Sequence, residues 1–179
     1  MFRILMIAAG MALAIAPTVE AKTKHAIKPA APAPVTRTYE GTFPIASTVV
    51  VPPGYSTIYV SGMVPGVSHA DAEAGSLAAY GSTEEQTESV IGRIDAALKT
   101  QGAGLGDIVS MHVYMAADPA TGKMDFAGMM KSYSRHFGTP DQPNKPVRAA
   151  MQVTALAAPA FLVEIEVVAA VPMKFPAPN

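Results

Sequence analysis

Two apolar segments near the C-terminus constrain the fold more than any other part of the chain. Residues 145–170 read KPVRAAMQVTALAAPAFLVEIEVVAA. Val, Ile, Phe and Met alternate with other residues, which is typical of a pleated β-strand. The alternation predicts two strands, over residues 147–156 and 161–170, joined by a short connection over residues 157–160.

The same alternation places Arg148, Glu164 and Glu166 together on one face of these two strands. The other face is apolar and carries Val147, Ala149, Met151, Val153, Phe161, Val163, Ile165 and Val167. Charged side chains are rarely buried without a partner. The charged face therefore meets water, or its charges pair with one another, or they bind a ligand.

Composition limits the classes of function. The chain has 179 residues, of which 50% are hydrophobic and 15% are charged, so one domain with a sizeable core is expected. A net charge of −1 argues against electrostatic binding of nucleic acid. The absence of cysteine excludes disulfides, thiol catalysis and cysteine-ligated metal sites. The four histidines show no metal-ligand spacing.

The N-terminus has the pattern of a secretory signal peptide over residues 1–21. Arg3 precedes an apolar run over residues 4–16, and Val19-Glu20-Ala21 has the form of a cleavage site. A buried or membrane-anchoring helix is the alternative. Cleavage after Ala21 would give a periplasmic protein in a bacterium, without a stable membrane anchor. Residues 22–38 are rich in Pro and Ala, which predicts a disordered tether. The folded domain is predicted over residues 39–172, and a flexible tail over residues 173–179.

The remaining elements follow from periodicity and turn signals. Strands are predicted over residues 38–43, 47–51, 57–62 and 107–116, and a loop over 65–81. Ser82 and Glu85 form a capping box that opens a helix ending before Gly102, and a second helix is predicted over residues 124–137. The order β-β-β-α-β-α-β-β predicts an α/β (α+β) two-layer sandwich, with a mixed sheet and two helices on one face.

The helices are predicted to cover one face of this sheet and to leave the other open. The covered face should hold Ile58, Val60, Val109, Val113, Met151, Val163 and Ile165. The open face should hold Tyr59, Ser61, His112, Tyr114, Arg148, Gln152, Glu164 and Glu166. A half-apolar open face indicates an association surface.

In this order and spacing, the residues from about Phe43 to Ala170 resemble the Rid/YjgF family of reactive imine and enamine deaminases. The matching motifs are Val60-Ser61-Gly62 with Pro65, Glu85-Gln86-Thr87, Gly106-Asp107-Ile108-Val109, Asp125-Phe126 with Tyr133 and Phe137, Pro146-Val147-Arg148-Ala149, and Val163-Glu164-Ile165-Glu166. The chain departs from the family pattern at Phe43-Pro44-Ile45, at Met63, and at Met130, where the family commonly has asparagine.

The resemblance implies a chorismate-mutase-like fold, a homotrimer, and clefts between subunits that hydrolyse 2-imino or enamine acids to 2-keto acids and ammonia. It implies no metal or organic cofactor. The absence of a basic patch argues against a nucleic-acid partner. Arg148 and Glu164 match its catalytic positions. The implied substrate-binding residues are Arg148, Tyr59, Ser61, Gly62, Tyr133 and Ala149.

The residue chemistry agrees with these roles and leaves alternatives open. The planar guanidinium of Arg148 fits a carboxylate bidentately, and Glu164 can orient or deprotonate a water. An Arg148–Glu164 ion pair that serves only the trimer interface is one alternative. A protein that binds a small carboxylate without turnover is another, and an endoribonuclease activity is a third.

Overall fold

The computed structural model describes residues 30–173. The predicted signal peptide, residues 22–29 of the predicted tether and residues 174–179 of the predicted tail lie outside the described residues. Within residues 30–173, no helix combines the length and the apolar character that crossing a membrane would require.

A four-stranded mixed sheet forms the centre of the domain. Its strands are β3 (Tyr55–Met63), β4 (Ile108–Met115), β5 (Val147–Gln152) and β6 (Val163–Pro172), in the spatial order β3-β6-β4-β5. Strand β5 is parallel to β4, whereas β6 is antiparallel to both of its neighbours. The two C-terminal strands are therefore separated by β4. A second, two-stranded sheet pairs β1 (Thr36–Thr38) with β2 (Thr48–Val50).

Three helices connect the strands: α1 (Leu77–Tyr80), α2 (Thr83–Thr100) and α3 (Phe126–His136). The predicted capping box is confirmed, because the Ser82 side chain accepts from the Glu85 N–H while the Glu85 carboxylate accepts from the Ser82 N–H. Buried residues of α2 and α3 pack with buried residues of β3, β4 and β6 in one core. The predicted fold class is confirmed. Helix α1, however, lies in the segment that was predicted to be a loop.

The predicted first strand is wrong in position. Instead of residues 38–43, the structure has β1 at Thr36–Thr38, inside the predicted tether, followed by a turn in which Gly41 adopts a φ of +64°. Arg37 holds β1 against the main sheet by donating to the carbonyl oxygens of Gly106 and Ile108, at 3.3 and 3.4 Å.

The predicted faces of β5 are inverted. Arg148 pairs with Met111 of β4, and Met111 is buried under the helices, so Arg148 points toward the helix layer. Met151, predicted to be covered, is 40% exposed on the other face. Alanines at 149 and 150 give little contrast between the two faces, and pairing with β4 sets the register. On β6 the prediction holds, since Ile165 is buried while Glu164 lies opposite Tyr114 on the open face.

Gln86 shows why the Glu85-Gln86-Thr87 motif is needed for folding. Its side chain is fully buried. The amide nitrogen donates to the carbonyl oxygens of Gly81 and Ala160, and the amide oxygen accepts from the Leu162 N–H at 2.7 Å. One side chain thus satisfies three backbone groups and fixes the chain just before β6 against α2.

Candidate functional site

Arg148 lies in an aromatic pocket on the helix side of the sheet edge. Its guanidinium carbon is 4.3 Å from the ring centre of Tyr133, 5.6 Å from that of Phe43 and 5.8 Å from that of Phe126. A cation over an aromatic face is attracted by the ring quadrupole. We call Arg148, these three rings and Met130 the arginine pocket.

Local structure fixes the walls of the arginine pocket. Phe126, Met130 and Tyr133 are spaced four and three residues apart on α3, so they share one helix face. The Tyr133 hydroxyl donates to the carbonyl oxygen of Pro44 at 2.9 Å, which ties the segment bearing Phe43 to α3. The rings of Phe43 and Phe126 are nearly parallel, with centres 6.5 Å apart.

The guanidinium of Arg148 lacks a strong acceptor. Among the described residues, it makes no salt bridge, and its one hydrogen bond goes from Nη1 to Met130 Sδ at 3.2 Å. Its Nε is enclosed by protein and meets no acceptor. Burial lowers the pKa of Arg148, and the nearby Tyr133 offsets this in part. An arginine nevertheless stays protonated at neutral pH, so the pocket holds a positive charge without a countercharge.

Glu164 lies on the opposite face of the sheet and is separate from this pocket. It makes no hydrogen bond or salt bridge within residues 30–173. Its carboxylate fills the space that a Cβ at Gly62 would occupy. Gly62 lies within a break in the regular pairing of β3 with β6, between Val60 and Met63. The glycine therefore lets the Glu164 side chain lie against the backbone of β3.

A second polar cluster lies beside Glu164 on the open face. The Glu166 carboxylate is 2.9 Å from His112 Nδ1 and accepts from the Tyr114 hydroxyl at 3.0 Å. The hydrogen bond to Glu166 raises the pKa of Tyr114. A shallow depression of about 310 Å³ adjoins this cluster, and its lining includes Tyr59 and Ser61.

The structure brings the predicted site residues together in two groups. Arg148 and Tyr133 meet in the arginine pocket. Glu164 and Gly62 are in contact on the open face, where Tyr59 is 79% exposed and Ala149 is also exposed. The predicted placement of Arg148 on the face of Glu164 is wrong, so the two side chains form no ion pair within one chain.

Sequence reasoning did not assign Phe126 to the site, and it noted Phe43 and Met130 only as departures from the family pattern that alter the pocket wall. On α3, the apolar face that packs in the core extends to the guanidinium of Arg148. The described residues hold no cluster of three or more His, Asp or Glu that could bind a metal ion.

Comparison with known proteins identifies the family of this chain. A family model described as endoribonuclease L-PSP matches residues 47–171, which is more than half of the chain. The chain belongs to this family, which is also known as YjgF/Rid. It is 37% identical over 112 residues to a RutC family protein of Pyrococcus abyssi, a match that covers 63% of this chain and 76% of the relative.

Two solved structures of Rid relatives are similar to this fold. A candidate endoribonuclease of Thermotoga maritima has a TM-score of 0.50 and 26% identity, over 76% of this chain and 94% of its own. YyfB of Yersinia pestis, a protein of unknown function in the conserved Rid family, has a TM-score of 0.54 and 20% identity, over 72% of this chain and 87% of its own. The second similarity concerns the fold alone.

Proposed function

We propose that this Rid family protein hydrolyses reactive 2-imino or enamine acids to 2-keto acids and ammonia. One observation carries the proposal: Arg148 holds a positive charge among three aromatic rings, and no carboxylate within the described residues pairs with it. Such a pocket favours a ligand that brings its own negative charge. A small 2-imino acid has a carboxylate next to the carbon that reacts.

Arg148 is the proposed substrate anchor. Charge-assisted hydrogen bonds between a guanidinium and a carboxylate are about twice as strong as neutral ones. The rings of the arginine pocket keep the guanidinium in place before the substrate arrives, which lowers the cost of ordering it. Anchoring the carboxylate fixes the imine carbon for attack, and positioning of this kind supplies a large share of catalysis.

Glu164 is the proposed base. It would take a proton from a water whose oxygen attacks the carbon of the protonated imine (the iminium ion), and a neutral carbinolamine forms. Return of the proton to nitrogen breaks the carbon–nitrogen bond, the hydroxyl proton is released, and a 2-keto acid and ammonia leave. The iminium carbon is already electrophilic, so this scheme needs neither a metal nor an organic cofactor.

Arg148 and Glu164 can meet only across a subunit interface, because they lie on opposite faces of one sheet. We therefore propose a homotrimer with one cleft at each interface. The open face supports this assembly, since it exposes Tyr59 and Met151 and no other described element covers it. Light scattering coupled to gel filtration measures the assembly, and a stable monomer at micromolar concentration would contradict it.

The test of the activity is ammonia release from freshly generated 2-iminopropanoate, compared with the rate of spontaneous hydrolysis. We expect a protein-dependent rate that is lost in Arg148→Ala. Binding of 2-oxopropanoate without turnover would instead indicate a carboxylate-binding protein. Cleavage of RNA, with no effect on the imine, would support an endoribonuclease.

Export is a separate proposal, based on the N-terminal sequence pattern over residues 1–21. If the chain is cleaved after Ala21, intact-mass analysis of protein from the native host will give a chain that begins at Lys22. A soluble cytoplasmic protein that retains Met1 would overturn this proposal.

A further inference from the structure

Met130 contacts the guanidinium of Arg148 at the position where a substrate carboxylate would bind. The Sδ atom lies 3.2 Å from Nη1 of Arg148. A guanidinium can bind a carboxylate bidentately through its Nη1–Nη2 end or through its Nε side. The Nε side is closed, because Nε is enclosed by protein. The remaining end includes the nitrogen that Met130 contacts.

Sulfur and carboxylate therefore compete for one position. A thioether is a weak acceptor, whereas a carboxylate forms a charge-assisted hydrogen bond of about twice the usual strength. The exchange favours the carboxylate, although the N–H···S contact must first be broken. Met130 thus lowers the affinity of the pocket by the strength of that contact.

The two side chains differ in their freedom to move. A methionine side chain has three rotatable bonds and adapts readily. Met130 is only partly buried at the rim of the core, so its end has room to rotate. The guanidinium is held by three rings, one of which belongs to the fully buried Tyr133.

We propose that Met130 is a displaceable cap on Arg148, which a substrate carboxylate pushes aside and which sets the affinity of the site. The proposal rests on the proposed anion-binding role of Arg148. It makes Met130 a positioning residue rather than a catalytic one. In the unliganded protein the Met130 sulfur is a weak hydrogen-bond acceptor for Arg148, and a substrate carboxylate, which is a stronger acceptor, replaces it.

Met130→Leu tests the cap, because leucine keeps the apolar bulk and removes the acceptor. We expect the Kd for 2-oxopropanoate, measured by calorimetry, to fall about threefold to tenfold, which corresponds to one neutral hydrogen bond. The KM for 2-iminopropanoate should fall by a similar factor while kcat stays unchanged. Met129→Leu is the matched control, since Met129 is fully buried on the same helix and makes no hydrogen bond to Arg148 within the described residues.

Methyl NMR of the wild-type protein gives a second measurement that does not depend on a variant being stable. With ¹³C-labelled methionine methyl groups, 2-oxopropanoate should shift the Met130 signal and leave the Met129 signal in place. An unshifted Met130 signal at saturation, or an unchanged or weaker Kd in a folded Met130→Leu protein, overturns the cap. If the protein hydrolyses 2-iminopropanoate but Met130→Leu does not lower the Kd for 2-oxopropanoate, the proposed hydrolase stands and the cap is overturned. If Met130→Leu lowers the Kd but the protein does not hydrolyse the imine, the cap stands and the hydrolase is overturned.

Discussion

Replacing Arg148 by alanine separates a binding role from a structural role. Within residues 30–173 Arg148 has no acidic partner, so the substitution leaves no buried carboxylate of this range uncompensated. It removes cation–π contacts worth roughly 0.5–1 kcal/mol each at partly exposed sites. It also removes a desolvated charge whose Nε is unpaired, which costs about 1–3 kcal/mol in the folded protein. These terms nearly cancel.

We therefore expect Arg148→Ala to stay folded and assembled, with a free energy of unfolding within about 1–2 kcal/mol of wild type. In a domain of this size that is a shift of a few degrees in Tm, on the order of 2–4 °C per kcal/mol. Loss of ligand binding should be much larger. Two charge-assisted hydrogen bonds contribute about 1.5–3 kcal/mol each, so affinity should fall on the order of 10²- to 10⁴-fold.

The assay pairs calorimetry with 2-oxopropanoate and ammonia release from 2-iminopropanoate. Arg148→Lys should also fail, because an ammonium cannot reproduce the planar fork of a guanidinium. Arg93→Ala is the matched control, since Arg93 is exposed on α2. An assembled Arg148→Ala protein that hydrolyses the imine at the wild-type rate would refute the reasoning. Collapse of the assembly would favour a structural role instead.

Three further predictions concern other parts of the domain. Gln86→Leu leaves three backbone groups without a hydrogen-bond partner, so it should lower the free energy of unfolding by about 2–4 kcal/mol in denaturant titrations. Gly62→Ala should displace the Glu164 carboxylate and lower kcat, whereas Gly92→Ala, with open space around its Cα, should keep kcat and gain up to about 1 kcal/mol of stability. For Glu88, burial raises the carboxyl pKa, but hydrogen bonds from Arg135, Ser132 and His136 outweigh it and leave the pKa below its ordinary 4.5. The stabilisation given by ionised Glu88 is present above pH 4.5 and is lost as the pH falls through its lowered pKa. Glu88→Gln should therefore lower Tm at pH 7, and its difference in Tm from wild type should shrink as the pH falls below 4.5.

The fold was predictable where hydrophobic contrast is strong. Strand β6 alternates Val163 and Ile165 with Glu164, so only one register buries the apolar side chains. The capping box at Ser82 was equally clear, because its geometry depends on residues three apart. Such signals are local, and they identified α2, α3 and most strands, whereas the short helix α1 was missed.

The sequence named candidate site residues, among them Arg148 and Glu164, but it did not predict their arrangement. Strand β5 carries Arg148 between Val147 and two alanines, a pattern that does not define a buried face, and non-local pairing with β4 set the orientation. The aromatic contacts of Arg148 were not predicted, because Phe126 has the same helical spacing as the core residues of α3. Their contact with Arg148 exists only once α3 has packed over the sheet edge.

Mixing two inactive variants tests the central claim most directly, namely that Arg148 and Glu164 act together from neighbouring subunits. Arg148→Ala and Glu164→Gln would be unfolded together in equal amounts, refolded and assayed for hydrolysis of 2-iminopropanoate. In a ring of three subunits with head-to-tail interfaces, random mixing restores both side chains in about one quarter of the clefts. The account predicts that activity returns to about that fraction of wild type. Mixed assemblies that remain as inactive as each parent variant would contradict it.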